Sequence, residues 1–128
     1  MRHILDHYIA LQQDLKIHTI NYNTRHRHNL LERCPESVIT QWRELETWLR
    51  ELSKMDTGLA LNIICETSVE STNNSVTQSI LGRELVFISS YAIHHFSLLA
   101  IIASLRGQQF HSNFGLAPAT ASFRRQTA

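Results

Sequence analysis

Apolar side chains recur at helical spacing in three segments of the chain. In residues 2–18 they advance by alternate steps of four and three, which indicates one stripe of a 3.6-residue period. The second segment begins at Pro35, whose missing N–H costs no hydrogen bond in the first turn of a helix, and ends before Gly58. The third, from about residue 79 to 106, is apolar on most sides, as expected of the central helix of a bundle. The pattern predicts three long helices.

The rest of the chain is less periodic. Residues 59–65 are mostly apolar and predict a short strand or an extended connection. Residues 67–79 hold seven Ser or Thr and two Asn in 13 positions, which favours a polar surface loop. Residues 107–128 predict an irregular tail that contacts the bundle through Phe114 and Leu116. We therefore expect an all-α fold with one short extended segment, in a single domain over residues 1–128.

Composition narrows the class of protein. Twelve Lys and Arg against 11 Asp and Glu give a net charge of +1, which excludes binding to nucleic acid through bulk positive charge. The most apolar stretch, residues 85–105, is interrupted by serines and histidines, so we expect a buried helix rather than a membrane span. The start has no apolar signal-peptide core, and Cys34 and Cys65 are too few for a disulfide framework. We expect a cytoplasmic protein that binds neither nucleic acid nor membranes.

One face of the third helix combines apolar side chains with groups that carry chemistry. Alternate steps of four and three place six residues on it, namely Glu84, Ile88, Tyr91, His95, Leu98 and Ile102. A buried polar group costs about 1–3 kcal/mol unless it is paired. We therefore expect Glu84 to be hydrogen-bonded or ion-paired, and Tyr91 and His95 to be mostly buried.

Histidines on two helices suggest a metal site. His3 and His7 are four residues apart in the first helix, so their imidazoles can converge on one ion. Together with His95 they are candidate ligands for a divalent metal, since neutral imidazole suits zinc, nickel, iron or copper. Spacing alone leaves the ordinary alternative open, in which His3 and His7 are exposed and His95 is a hydrogen-bonded core residue.

Three segments resemble the DinB-like superfamily. They are residues 82–96 (GRELVFISSYAIHHF), residues 114–120 (FGLAPAT) and residues 2–8 (RHILDHY), and the resemblance covers most of the chain. It implies a four-helix bundle, often dimeric, with a divalent-metal site of three histidines. Family chains carry a further helix before the motif at which this chain begins. The fold implied is an all-α, truncated DinB-like bundle of three long helices.

The resemblance also implies a ligand set. His3, and less directly His7, corresponds to the early ligand of the family, and His95 corresponds to the last ligand. Tyr91 stands where the family has its middle histidine, and a neutral phenol is a poor zinc ligand. Three alternatives follow from this departure: His7 or His94 replaces the missing imidazole, the site binds metal weakly, or this copy has lost its metal.

Two functions are compatible with the resemblance. The first is an enzyme that depends on a divalent metal, zinc or nickel, and acts on a small-molecule substrate as a thiol transferase or hydrolase. In that enzyme Tyr91 or Glu84 would assist proton transfer. The second is a non-catalytic, metal-free helical dimer that descends from the family.

A homodimer is expected in either case. Three helices of a four-helix plan leave an apolar strip exposed to water, and large exposed apolar patches usually mark interfaces. Two copies about a two-fold axis would cover each other's open face. The alternative is that residues 108–128, which include Phe110, Phe114, Leu116 and Phe123, fold back over the strip.

Overall fold

The computed structural model describes residues 2–24 and 34–127. Within these ranges four helices and three strands follow one another, in the order α1 Arg2–Asp14, β1 Thr19–Asn21, α2 Pro35–Leu52, β2 Ala60–Glu66, β3 Asn74–Ile80, α3 Leu81–Leu105 and α4 Pro118–Thr127. A 3₁₀ turn, Leu15–Ile17, follows α1 directly. The chain divides into two compact units, residues 1–85 and 86–128.

A three-stranded mixed sheet lies in the first unit, in the order β1-β2-β3. Strand β1 runs parallel to β2, with Thr19 opposite Asn62, and β3 runs antiparallel to β2, with Ala60 opposite Ile80. The prediction of an all-α, truncated DinB-like bundle is therefore wrong, and the fold is α/β. The helices form much as their apolar period indicates, but the pattern did not reveal β1 and β3.

The residues of β3 explain the missed strand. The segment was predicted to be a polar loop because it is rich in Ser and Thr, yet residues 74–80 pair with β2 along its whole length. Most of the β3 side chains are exposed, so no alternation of apolar and polar residues marks the strand. Backbone pairing with β2, whose Leu61 and Ile63 are buried, decides the conformation here instead.

The long helices confirm the predictions made from the apolar periodicity. Helix α1 covers most of the predicted 2–18 segment, α2 begins at Pro35, and α3 ends two residues before Gly107. Gly107 has a φ of +73°, and the N–H of Gln108 donates to the carbonyl of Ala103 at 2.9 Å, as expected for a glycine-terminated helix. Helix α4 stands in the tail that was expected to be irregular.

One cluster of core residues in the first unit lies between α1 and α2. Leu5 and Leu45 are fully buried, and Ile9 is 6% exposed. Four half-buried residues pack against these three, namely Tyr8, Val38, Trp42 and Trp48. On α2 these residues follow the stripe that the sequence pattern predicted. On α1, Leu5 and Ile9 lie beside the predicted stripe, of which Tyr8 reaches this cluster.

Aromatic rings and one close backbone contact organise the second unit. The ring of Phe114 lies 5.2 Å from that of Phe96 on α3 and 4.2 Å from that of Phe110. The Ser97 hydroxyl donates to the carbonyl of Gly115. Phe114 thus joins the tail to α3, as expected from the sequence.

Helix α3 is long and apolar enough to cross a membrane by length and composition alone. Only a small share of its apolar residues is buried within the chain. One such helix is by itself weak evidence for a membrane span.

Candidate ligand-binding cleft and the Glu84 network

The outward face of the sheet carries two cross-strand pairs. In the β2–β3 register Ala60 lies opposite Ile80, and Asn62 lies opposite Gln78. Side chains alternate between the two faces of a strand, so these four share one face, and Leu61 and Ser79 point to the other. Opposite residues have Cβ atoms about 4.5–5.5 Å apart. The pairing therefore sets two side-chain amides, Asn62 and Gln78, side by side on an exposed surface.

A cleft of about 800 Å³ lies over this face. Its lining combines the cross-strand pairs with neighbouring residues, in full His18, Ala60, Leu61, Asn62, Gln78, Ser79, Ile80 and Arg83. His18 is held beside β2 because the N–H of Asn62 donates to its carbonyl at 2.9 Å. Arg83 is exposed and has no ion-pair partner among residues 2–24 and 34–127. The cleft thus offers amide, imidazole and guanidinium donors around a small apolar floor.

Beneath the sheet, Glu84 accepts two hydrogen bonds. The Tyr22 hydroxyl donates to Oε2 at 2.9 Å, and the Ser79 hydroxyl donates to Oε1 at 2.6 Å. Glu84 is only 6% exposed, so both carboxylate oxygens need such partners. The expectation that Glu84 is hydrogen-bonded is confirmed. Ser79 also belongs to the lining of the cleft, but its hydroxyl points to the opposite face of β3, towards Glu84.

Tyr22 connects this network to α1. Its ring stacks on the His7 ring with centroids 5.3 Å apart. Burial raises the pKa of the Tyr22 phenol, and the charge of Glu84 and the hydrogen bond to it raise that pKa further. The phenol therefore keeps its proton across the physiological range and acts as a donor to Glu84.

Replacement of Tyr22 tests this network. We expect Tyr22→Phe to lower the free energy of unfolding by about 1–3 kcal/mol, because Glu84 Oε2 loses its donor. The matched control is Tyr8→Phe: Tyr8 is half-buried, but its hydroxyl makes no hydrogen bond among the described residues, so we expect a change within about 0.5 kcal/mol. Urea unfolding followed by circular dichroism measures both variants. Equal losses would show that the Tyr22 hydroxyl has no special role.

The raised pKa of Tyr22 predicts that the free energy of unfolding depends on pH. In the unfolded chain a tyrosine ionises near pH 10, whereas folded Tyr22 keeps its proton to higher pH. The stability due to this raised pKa is complete below about pH 10 and falls as the pH rises above it. Stability should therefore decline less steeply above pH 10 in Tyr22→Phe than in the unmodified chain.

The histidines of the predicted metal site have other contacts. His7 Nδ1 shares a hydrogen bond of 2.9 Å with the carbonyl of His3, and His3 is exposed. His95 Nδ1 shares one of 3.0 Å with the carbonyl of Tyr91. Tyr91 and His95 are half-buried rather than mostly buried, and their ring centroids lie 4.3 Å apart.

No metal centre forms among residues 2–24 and 34–127. Within these ranges no three His, Cys, Asp or Glu residues lie close enough together to hold an ion. The prediction of a metal-binding protein is therefore wrong. Helical spacing placed His3 beside His7 correctly, but spacing within one helix does not bring a third ligand to them.

Several residues of the site were missed by the sequence pattern. Tyr22 lies 62 positions before Glu84, and Ser79 lies in the segment predicted as a loop. Asn62 and Gln78 become neighbours only through the β2–β3 register. If β3 had been predicted as a strand, the pairing of Asn62 with Gln78 could have been inferred, because a strand fixes which residues share a face.

Comparison with known proteins shows a similarity to an FK506-binding protein. The chain is 32% identical over 103 residues to FK506-binding protein 5 of Rhizopus delemar, an alignment that covers 79% of this chain and 26% of that protein. The chain thus spans about a quarter of the length of the relative. No family model matches the chain, and no solved structure matches it.

These findings correct the family prediction. The resemblance to the DinB-like superfamily finds no support, because the relative is an FK506-binding protein and the fold contains a mixed sheet. Two predicted functions rest on that resemblance, and both are wrong. They are a DinB-like metal enzyme of the thiol-transferase or hydrolase type and a non-catalytic helical dimer that descends from the family. Short segments of similar residues recur in unrelated proteins, so their match does not establish a family.

Proposed function

We propose that the chain is a binding domain for prolyl peptides and for macrolides such as FK506, with peptidyl-prolyl isomerase activity. The observation that carries this proposal is the similarity to FK506-binding protein 5 over 79% of the chain. The cleft on the sheet is the place where such a ligand fits best. We further propose that the protein acts in the cytoplasm.

The size and lining of the cleft agree with this ligand class. Small-molecule sites usually measure about 300–1,000 Å³ and combine an apolar floor with a few placed polar groups. The cleft measures about 800 Å³. Ala60 and Ile80 supply apolar contact for a pyrrolidine or macrocycle, and the amides of Asn62 and Gln78 can donate to ligand carbonyls. A prolyl peptide bond has a carbonyl but no N–H, so donors are the groups it requires.

Strand β3 offers a second binding surface for an extended peptide. This strand forms one edge of the sheet, so part of its backbone N–H and C=O groups are not used by β2. A peptide can pair with such an edge by main-chain hydrogen bonds while its side chains enter an adjacent pocket. Gln78, Ser79 and Ile80 belong both to β3 and to the cleft lining. A peptide along β3 would therefore lead directly into the cleft.

The chemistry required of an isomerase is rotation about one bond. An X–Pro bond interconverts in tens to hundreds of seconds because the amide has partial double-bond character. Apolar contact by Ala60 and Ile80 would remove water from the prolyl amide and favour the twisted state, in which resonance is lost. The Arg83 guanidinium and the Asn62 and Gln78 amides would hold the flanking carbonyls. No covalent step and no cofactor are needed.

Binding and catalysis test the proposal directly. We expect FK506 and a proline-containing peptide to bind in calorimetric titrations, and proline-limited refolding of a reporter protein to become faster. The double variant Asn62→Ala/Gln78→Ala should weaken binding about tenfold, because two hydrogen bonds of about 0.5–1.5 kcal/mol each are lost. The control is Gln108→Ala/Gln109→Ala, which removes two exposed amides from the other unit. Absence of binding to both ligands, with no acceleration of refolding, would refute the proposal.

A further inference from the structure

Helix α3 carries an exposed apolar stripe in its second half. The stripe consists of four residues, which are 45%, 57%, 53% and 83% exposed in the order Leu98, Ile101, Ile102 and Leu105. The sequence pattern had placed Leu98 and Ile102 in the core, and the structure corrects this. Isolated exposed apolar residues are normal, but four on one side of one helix require an explanation.

The spacing of the stripe is that of a coiled-coil contact. Leu98, Ile101 and Leu105 follow one another by steps of three and four, and the half-buried Phe87 and Tyr91 and the exposed His94 continue the same steps towards the start of the helix. Alternate steps of three and four place residues at the a and d positions of a heptad repeat. Such a repeat packs against another helix that carries the same repeat.

We propose that the α3 stripe is the contact surface of a homodimer, in which α3 of one copy packs against α3 of the second. Residues 85–105 contain no Lys, Arg, Asp or Glu, so two copies meet without repulsion between charges. A partner must offer an uncharged apolar helix of matching period, and the chain itself provides one. Two-fold symmetry then presents the same surface on both sides.

A lipid bilayer fits the stripe less well. A membrane span is apolar all round, whereas α3 includes Ser89, Ser90 and Ser97. One side of the helix is already in contact with the tail, through the Phe96–Phe114 rings and the hydrogen bond from Ser97 to Gly115. The tail thus covers part of α3, while Leu98, Ile101, Ile102 and Leu105 stay exposed.

The length of the stripe sets the strength of the dimer. From Phe87 to Leu105 the helix rises about 27 Å at 1.5 Å per residue. A single pair of helices of that length buries less than the roughly 800 Å² per partner of a standard interface. We therefore expect a dimer that dissociates at micromolar concentration.

Light scattering between about 1 and 100 µM tests the dimer, a range chosen for the small interface. The mass should rise towards twice the 14.8 kDa of one chain as the concentration increases. Leu98→Glu should keep the chain at the mass of one copy, and the milder Ile101→Ala should raise the dissociation constant at least about tenfold. The matched control is Val86→Glu: Val86 is 62% exposed on the same helix but lies about 120° from Leu98 around the axis.

Each outcome decides the proposal. Loss of the dimer in Leu98→Glu with retention in Val86→Glu supports the stripe, provided that circular dichroism shows both variants folded. A chain that stays monomeric at 100 µM, a dimer that Leu98→Glu and Ile101→Ala leave intact, or equal loss in Val86→Glu overturns it. Flotation with phosphatidylcholine vesicles tests the membrane alternative. If the chain is monomeric and floats with the vesicles, the stripe binds lipid and the dimer proposal is wrong. These readouts are independent of FK506 or peptide binding.

Discussion

Replacement of Gly115 by alanine is expected to lower the free energy of unfolding by roughly 2–5 kcal/mol, from a left-handed backbone cost of about 1–2 and an overpacking cost of about 1–3. Gly115 has a φ of +69°. A Cβ atom there would lie 2.6 Å from the carbonyl carbon of Phe96 and 2.8 Å from the Cα of Ser97. Both atoms belong to the backbone of α3, which cannot move aside as the end of a side chain could.

Gly107→Ala separates the two costs. Gly107 also has a positive φ, of +73°, but a Cβ atom there would meet nothing within 4 Å. We expect it to lose only about 1–2 kcal/mol, the cost of the left-handed backbone. Chemical unfolding followed by circular dichroism at 222 nm compares the two variants. If Gly115→Ala were no more destabilising than Gly107→Ala, the close approach of Gly115 to α3 would be wrong.

Leu45→Ala is expected to cost about 2–5 kcal/mol, the range for deleting a buried leucine side chain. Leu45 is fully buried and forms a cluster with Leu5 and Ile9 of α1. Removing it leaves a cavity between α1 and α2 that neighbouring rings can fill only in part. Both tryptophans of the chain, Trp42 and Trp48, pack against this cluster, so intrinsic fluorescence follows its unfolding directly.

The control lies on the same helix. Ile39 is 51% exposed, and Ile39→Ala should change the stability by less than about 0.5 kcal/mol. A loss in Leu45→Ala no larger than that in Ile39→Ala would mean that α1 and α2 do not share this core.

The helices could be predicted because their signals are local. Pro35 marks the start of α2, Gly107 follows the end of α3, and apolar residues repeat every three or four positions between such limits. Strand β2 was predicted only as one of two options. Strand β3 could not be predicted from the apolar pattern, because its polar, exposed side chains resemble those of a loop. Its extended conformation depends on pairing with β2.

The candidate site could be predicted in part. Burial of Glu84 and its need for partners followed from its place on an apolar helix, and both were correct. The identity of its partners did not follow, because Tyr22 and Ser79 reach Glu84 through the tertiary fold. The histidines show the opposite error: regular spacing suggested a joint function that the described residues do not support.

The mixed sheet has a consequence for the order of folding. Strands β2 and β3 form a hairpin whose nearest paired residues, Glu66 and Asn74, are only a few positions apart, whereas β1 reaches β2 by pairing Thr19 with Asn62. The entropy of closing a loop grows with its length, and distant pairings slow folding. The hairpin should therefore form early, and β1 should join after α1 and α2 have packed. His18 enters the cleft with β1, so the complete cleft arises only in this last step.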